Sequence, residues 1–173
     1  YADIPLLLAL LPVDFAFVAK REAADWPLAG LFIRRSGHLT VDRRDAQDSL
    51  AATGRVAAAL RSGRSVLVFP EATFRAASGL RPFRLGAFKT AAELSVPVLP
   101  LAIDGARRFL RDGTWLPRPG RMRVWAGEPL HAEGSDWRAI VSLRDRSAET
   151  ISASCGEPRL DLVAAGPDAA EGV

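Results

Sequence analysis

A single cysteine, Cys155, among 173 residues leaves no intrachain disulfide framework and no zinc site built on several thiolates. Histidine is nearly as scarce: His38 and His131 stand far apart, so no metal site is expected. Long apolar runs are missing too. The longest, from Ile4 to Val13, is about ten residues and contains Pro5 and Pro12, too short to cross a bilayer. Lysine is almost absent: of 23 basic residues only Lys20 and Lys89 are lysines.

What remains is 49% hydrophobic and 25% charged, close to the globular average, in a length that suits one domain with a real core. Wholesale disorder, collagen-like and coiled-coil structures are excluded. The formal charge of +3 is carried by arginine, whose guanidinium grips phosphate or carboxylate through two N–H groups. An anionic partner is one reading of that bias; a genome-wide preference for Arg and Ala is the other. No initiator Met, signal peptide or basic leader precedes Tyr1, so the sequence reads as starting inside a longer chain of cytosolic chemistry.

Ile4–Leu11 suits a short buried helix, and Asp14–Val18, apolar on both faces, a strand. Trp26–Gly30 reads as a helix start or turn. Gly37–Asp42 is a second strand candidate, followed by a helix capped by Asp45 or Asp48 and running to Arg61, with Gly63 at its C-terminal cap. Ser65–Phe69 is the clearest strand. Strand, helix and strand predict a β-α-β unit with parallel pairing. A loop from Pro70 to Pro82 leads to a helix near Leu85–Leu94. Strands are expected at Val96–Ile103 and Arg121–Trp125, and a surface helix at Ser135–Thr150. The expected fold is a single α/β domain over residues 1–163, with a mixed, mostly parallel central sheet containing Leu39–Val41, Val66–Phe69 and Val98–Ile103, flanked by helices. Residues 164–173 read as a loose tail.

The segment Phe69-Pro-Glu-Ala-Thr-Phe-Arg75 carries the chemistry. A buried strand runs into a proline and then a carboxylate, and ligands of open α/β sheets bind beyond the carboxyl ends of strands. Glu71, Thr73 and Arg75 are therefore placed to face a ligand; alternatively Glu71 only caps a neighbouring backbone group. Asp42 and Arg43 end the preceding strand and face the same crevice, unless Asp42–Asp45 is a solvated charge cluster.

Four blocks in order, spaced suitably, make the chain resemble glycerolipid acyltransferases of the lysophosphatidate acyltransferase type over roughly residues 1–130. The third block, Phe-Pro-Glu-Gly-Thr-Arg, appears as Phe69-Pro70-Glu71-Ala72-Thr73-Phe74. The second appears as Gly37-His38-Leu39-Thr40-Val41-Asp42-Arg43, and the fourth as Val96-Pro97-Val98-Leu99-Pro100. A Pro-Phe-Lys-x-Gly turn between the third and fourth appears as Pro82-Phe83-Arg84-Leu85-Gly86. The first block is His-x-x-x-x-Asp, and Tyr1-Ala2-Asp3 looks like its end, which puts its His at the third residue before Tyr1. His38 is followed at that spacing by Arg43; His131 does precede Asp136, but its Glu-Gly-Ser loop and late position argue against it.

The resemblance implies a glycerol-3-phosphate acyltransferase-like fold and transfer of a fatty acyl group to a lysophospholipid or glycerol-phosphate hydroxyl. The donor is acyl-CoA or acyl-carrier protein, a substrate, with no cofactor. Asp3 orients the upstream His, Arg43 contacts phosphate, and Glu71 with Thr73 and Arg75 holds the glycerol end. The sequence departs from the pattern at Ala72, usually Gly, and at Phe74, usually Arg. Work at the cytoplasmic side of a membrane follows, peripherally or through a segment outside this chain. Leu6–Leu11 near Arg21, Arg34 and Arg35 could dock on anionic lipid, or simply be core helix. The competing function is a catalytically incomplete lipid- or membrane-surface-binding domain on the same scaffold, which a residue other than His at the upstream position would favour. Nucleic-acid binding lacks any stacking or groove-reading motif.

Overall fold

A computed structural model describes residues 3–21, 25, 27–41, 46–71, 79–109, 116 and 118–163. Its centre is β1 (Phe15–Lys20), where Phe15, Ala16, Phe17 and Ala19 are all buried, as a strand covered on both faces requires. Parallel neighbours flank it in the order β2-β1-β3, with β2 at Leu39–Val41 and β3 at Ser65–Leu67. The two partners use different halves of β1. β3 pairs along Phe15–Phe17 and β2 along Val18–Lys20. The offset of three residues is about 10 Å along the strand.

Helices join these strands. α1 (Asp3–Leu10) precedes β1 through four residues, α2 (Pro27–Arg35) leads to β2, and α3 (Ala46–Arg61) leads to β3. Gly63 has φ +81°, the left-handed conformation expected after α3. The β2-α3-β3 connection is parallel as expected, but β2 and β3 do not pair, because β1 lies between them. α1 combines both sequence readings of Leu6–Leu11: Leu7 is 1% exposed in the core, while Leu10 is 55% exposed.

The second half departs further from expectation. The strand expected at Val98–Ile103 is β4 (Leu101–Asp104), which pairs antiparallel with β5 (Arg123–Ala126) in a separate two-stranded sheet. The prolines explain the late start. Pro97 and Pro100 donate no backbone N–H, Val98 makes only an isolated bridge to Leu130, and the ladder begins after Pro100. Leu101, Ile103 and Val124 nonetheless pack on the Leu7–Phe15–Phe17–Ala19–Ile33 cluster, so the two sheets share a core. α4 (Gly86–Glu93) and a short α5 (Ala106–Phe109) flank β4 in sequence. The expected surface helix is α6 (Trp137–Cys155), longer than expected and a core element, burying Ala139, Ile140, Leu143, Ser147 and Ala148. Asp136 caps it, accepting from the Ala139 N–H at 2.7 Å. α6 packs on α4 through Phe83, Phe88, Ile140 and Leu143, and α7 (Leu160–Val163) follows. The tail 164–173 and the Asp42–Asp45 cluster lie outside the described residues.

The amino ends of the strands are tied by one side chain. Arg64 donates to Asp14 Oδ2 at 3.1 Å, to the Gly37 carbonyl at 2.8 Å and to the Ser36 carbonyl at 2.9 Å. Beside it the His38 ring lies 3.9 Å from that of Phe17 and 5.1 Å from that of Phe32. His38 Nδ1 accepts from the Phe17 N–H at 3.4 Å, whereas its buried Nε2 has no partner among the described residues. Burial first, then the Arg64 charge, holds the imidazole pKa below its ordinary value, with Asp14 opposing. The unfolded chain therefore binds a proton at higher pH than the folded one. Stability from this group is fully present above the ordinary histidine value and falls as pH drops toward the lowered one. Urea melts at pH 7.5 and 5.5 should show a larger loss for the wild type than for His38→Asn; equal losses would exclude this coupling.

Candidate functional site

The order β2-β1-β3 creates a point where successive connections leave in opposite directions. From β1 the chain moves to β2, and after β3 it lies on the other flank. The crevice beyond the carboxyl ends of β1 and β3 is thus a topological switch point, the usual ligand position in open α/β sheets. Lys20 ends β1 and the exposed Arg21 follows it. β3 is followed by Val68, Phe69, Pro70 and Glu71, so the strand ladder ends two residues earlier than the sequence suggests. Phe69 packs on the β1 cluster, anchoring the segment that delivers Glu71.

Glu71 is partly buried, and its Oε2 accepts from the Arg81 N–H at 3.0 Å. The backbone-capping alternative thus describes one of its two oxygens. The Pro70 carbonyl also accepts from the Arg84 N–H at 3.0 Å, closing the neck of a loop between Pro70 and Arg84. Thr73 and Arg75 in that loop, and Arg43 after β2, lie outside the described residues. Asp3 is the acidic residue in the first turn of α1. α1 and β1 are joined by four residues and bury Leu7 and Phe15 in the same cluster. His131 is exposed, and Cys155 is the last residue of α6. Among the described residues no three His, Cys, Asp or Glu side chains are grouped to hold a metal ion, and no helix is long and apolar enough to cross a membrane.

Sequence reasoning assigned no site role to the carboxyl end of β1, because the strand order that sets β1 beside β3 is not local information. Nor did it find the segment after α6 that holds the far side of the loop: Leu80 pairs there with Arg159.

Comparison with known proteins points to one family. The profile of the family described as Acyltransferase matches residues 1–104, from Asp3 through all of β4. The chain is 34% identical to a lyso-ornithine lipid O-acyltransferase of Pseudomonas aeruginosa, over 88% of this chain and 64% of that protein. It is 30% identical to a 1-acyl-sn-glycerol-3-phosphate acyltransferase of the same organism, over 81% of this chain and 54% of that protein. The solved structure of the 1-acyl-sn-glycerophosphate acyltransferase PlsC from Thermotoga maritima superposes with a TM-score of 0.72 at 25% identity, over 88% of this chain and 59% of that one. The chain thus spans less than two thirds of each of these relatives. A profile match over more than half of the sequence, ending at the strand that completes the shared core, establishes that the chain belongs to the acyltransferase family.

Proposed function

We propose that this chain is the catalytic core of an O-acyltransferase that moves a fatty acyl group from a thioester to a hydroxyl of a lysophospholipid or glycerol phosphate. The observation that carries the reading is the position of Phe69-Pro70-Glu71 at the switch point between β1 and β3. An alcohol does not ionise near neutral pH, so its attack on the thioester needs a base within hydrogen-bond reach. The family pattern would put that base, a His, at the third residue before Tyr1, where Asp3 would fix its tautomer and stabilise the imidazolium. The hydroxyl oxygen bonds to the acyl carbon, its proton passes to the imidazole, and the thiolate leaves and takes that proton. No acyl-enzyme and no cofactor is required; acyl-CoA or acyl-carrier protein is the donor.

Arg43 offers a fixed positive fork to the acceptor phosphate, present in ground and transition states alike. In the full-length enzyme, Arg43→Ala should raise the acceptor KM, with a charge-assisted contact suggesting a cost of about 1.5–3 kcal/mol. A salt-bridge role toward Asp42 or Asp45 would instead lower the melting temperature and leave that KM unchanged.

A second acceptor class has its own support. Phe74 stands where the family pattern has an arginine, which removes one phosphate contact, and one relative acts on a lyso-ornithine lipid. Turnover of 1-acylglycerol 3-phosphate against a lyso-ornithine lipid by the full-length enzyme separates the two.

The acceptor resides in a bilayer, and the reaction is placed at its cytoplasmic face, with peripheral or anchored attachment. On α1, the helix that carries Asp3, Leu8 and Leu10 are 38% and 55% exposed and suit such a surface, and the exposed Arg21 adds positive charge at the carboxyl end of β1. The same turnover assay should run faster on anionic than on neutral vesicles; equal rates and equal co-sedimentation would exclude electrostatic docking.

A further inference from the structure

The neck of the loop between Pro70 and Arg84 is gripped from outside by residues that lie beyond the matched family profile. The Leu80 N–H donates to the Pro158 carbonyl at 2.8 Å, and the Leu160 N–H donates to the Leu80 carbonyl at 2.9 Å. The Gly79 N–H donates to a Glu157 carboxylate oxygen. This grip is itself anchored. The Ser152 hydroxyl of α6 donates to the Glu157 carbonyl at 2.6 Å. Arg159 donates to Asp161 at 2.7 Å and to Asp145 of α6 at 3.2 Å. Its side chain is only 13% exposed, so these charge-assisted bonds are shielded from solvent more than surface pairs are. The Arg159 hydrogen bond holds the Asp161 carboxyl below its ordinary pKa.

Gly79 closes the contact sterically. Its φ is +107°, and a Cβ there would come within 2.6 Å of Leu160 Cδ2 and 2.7 Å of Leu160 Cγ. A backbone so confined fixes the direction in which the chain leaves the loop. On the inner side Glu71 bonds Arg81, two residues beyond Gly79. Glu71 and Glu157 therefore each hold one N–H of the same three-residue strip, Gly79–Arg81.

We infer that Glu157 is a positioning residue: with Pro158 and Leu160 it fixes the strip Gly79–Arg81 to which Glu71 is bonded, and through Glu71 the fit of the acceptor. The functional half of this inference rests on the acyltransferase reading above; the mechanical half does not. Two measurements on the full-length protein separate them. Hydrogen exchange at Gly79–Arg81 reports the clamp whatever the reaction, and steady-state kinetics report its consequence. In Glu157→Ala, exchange there should quicken roughly tenfold or more, as loss of a hydrogen bond to a charged group implies. The acceptor KM should rise about 5–30-fold with the donor KM unchanged. Glu157→Gln, which keeps a carbonyl oxygen for the Gly79 N–H, should stay within about 3-fold of wild type in both measurements. Gly79→Ala, which disturbs the contact from its other side, should move both in the direction of Glu157→Ala. Unchanged exchange in Glu157→Ala would overturn the clamp. Faster exchange with an unmoved acceptor KM, or kinetics that fall only with the folded fraction, would overturn the positioning role. A wild type that transfers no acyl group to either acceptor class would sink the acyltransferase reading and the functional half with it, while exchange still decides the clamp.

Discussion

Asp3→Asn in the full-length enzyme is expected to lower kcat by roughly 10²–10⁴ while leaving the fold intact. The amide keeps the size of the carboxylate but not its charge. It can present an N–H to the imidazole and favour the wrong tautomer, and it gives no stabilisation to the imidazolium that forms as the hydroxyl proton leaves. The loss therefore falls on kcat, since the acceptor is bound before that charge develops. The structural cost is small. Asp3 lies in the first turn of α1, where a carboxylate favours the helix dipole by about 0.3–1 kcal/mol. Single-turnover rates with thermal melts alongside would check this, and a kcat within about threefold of wild type would remove Asp3 from the machinery.

The largest effect on stability is expected at Leu143. It is 0% exposed and packs in the cluster of Leu80, Phe83, Phe88, Ala91 and Ile140 between α4 and α6. Leu143→Ala should cost about 2–5 kcal/mol from lost burial and the cavity left behind. For a chain of this size that lowers Tm by roughly 5–20 °C. Leu10→Ala on the exposed side of α1 is the contrast, and should stay within about 0.5 kcal/mol of wild type. Equal melts for the two variants would show that the α4–α6 contact is not the core it is taken to be. Because Leu80 and Phe83 belong to this cluster and also flank the loop neck, Leu143→Ala should loosen residues 79–84 before the molecule unfolds as a whole.

Local pattern carried much of this fold. Phe15-Ala-Phe-Val18, apolar on both faces, reads as a strand but not as the centre of the sheet, which β1 is; α3 is legible from its length and from Gly63 at its end, while Asp48, one of its two expected caps, lies inside the helix. The sequence resemblance reached the family through blocks whose described residues lie at β2, just after β3 and before β4. What local pattern could not carry was pairing at a distance. The chain order of β2 and β3 suggested neighbours, yet β1 separates them. In the sequence Pro97 and Pro100 mark a strand start and an edge or bulge, but they do not show that the strand begins only after Pro100 and joins β5 in a separate sheet. α6 reads as a surface helix in the sequence, yet it buries Ala139, Ile140, Leu143, Ser147 and Ala148. Arg144 and Asp145 are in fact turned to one another and, with Arg159, surround the end of the core. Glu157 lies 78 residues from Gly79, and nothing in either neighbourhood hints at the other.

The Arg64 latch bears on a problem that β1 poses for itself. In a strand with one wet face, a slip by one residue exposes the apolar set, so alternation fixes the pairing. β1 has no wet face: Phe15, Ala16 and Phe17 are buried in succession, and a slipped strand would bury nearly the same apolar surface. Its alignment must be read from something other than hydrophobicity. Asp14, one residue before the strand, is pinned to the turn at Ser36–Gly37 through a single guanidinium, and the Phe17 N–H is matched to His38. Each of these contacts is lost if β1 shifts by one position against β2 or β3. A few polar atoms at one end of the sheet thus supply the alignment that its apolar interior leaves undetermined, and with it the level at which Glu71 emerges at the other end.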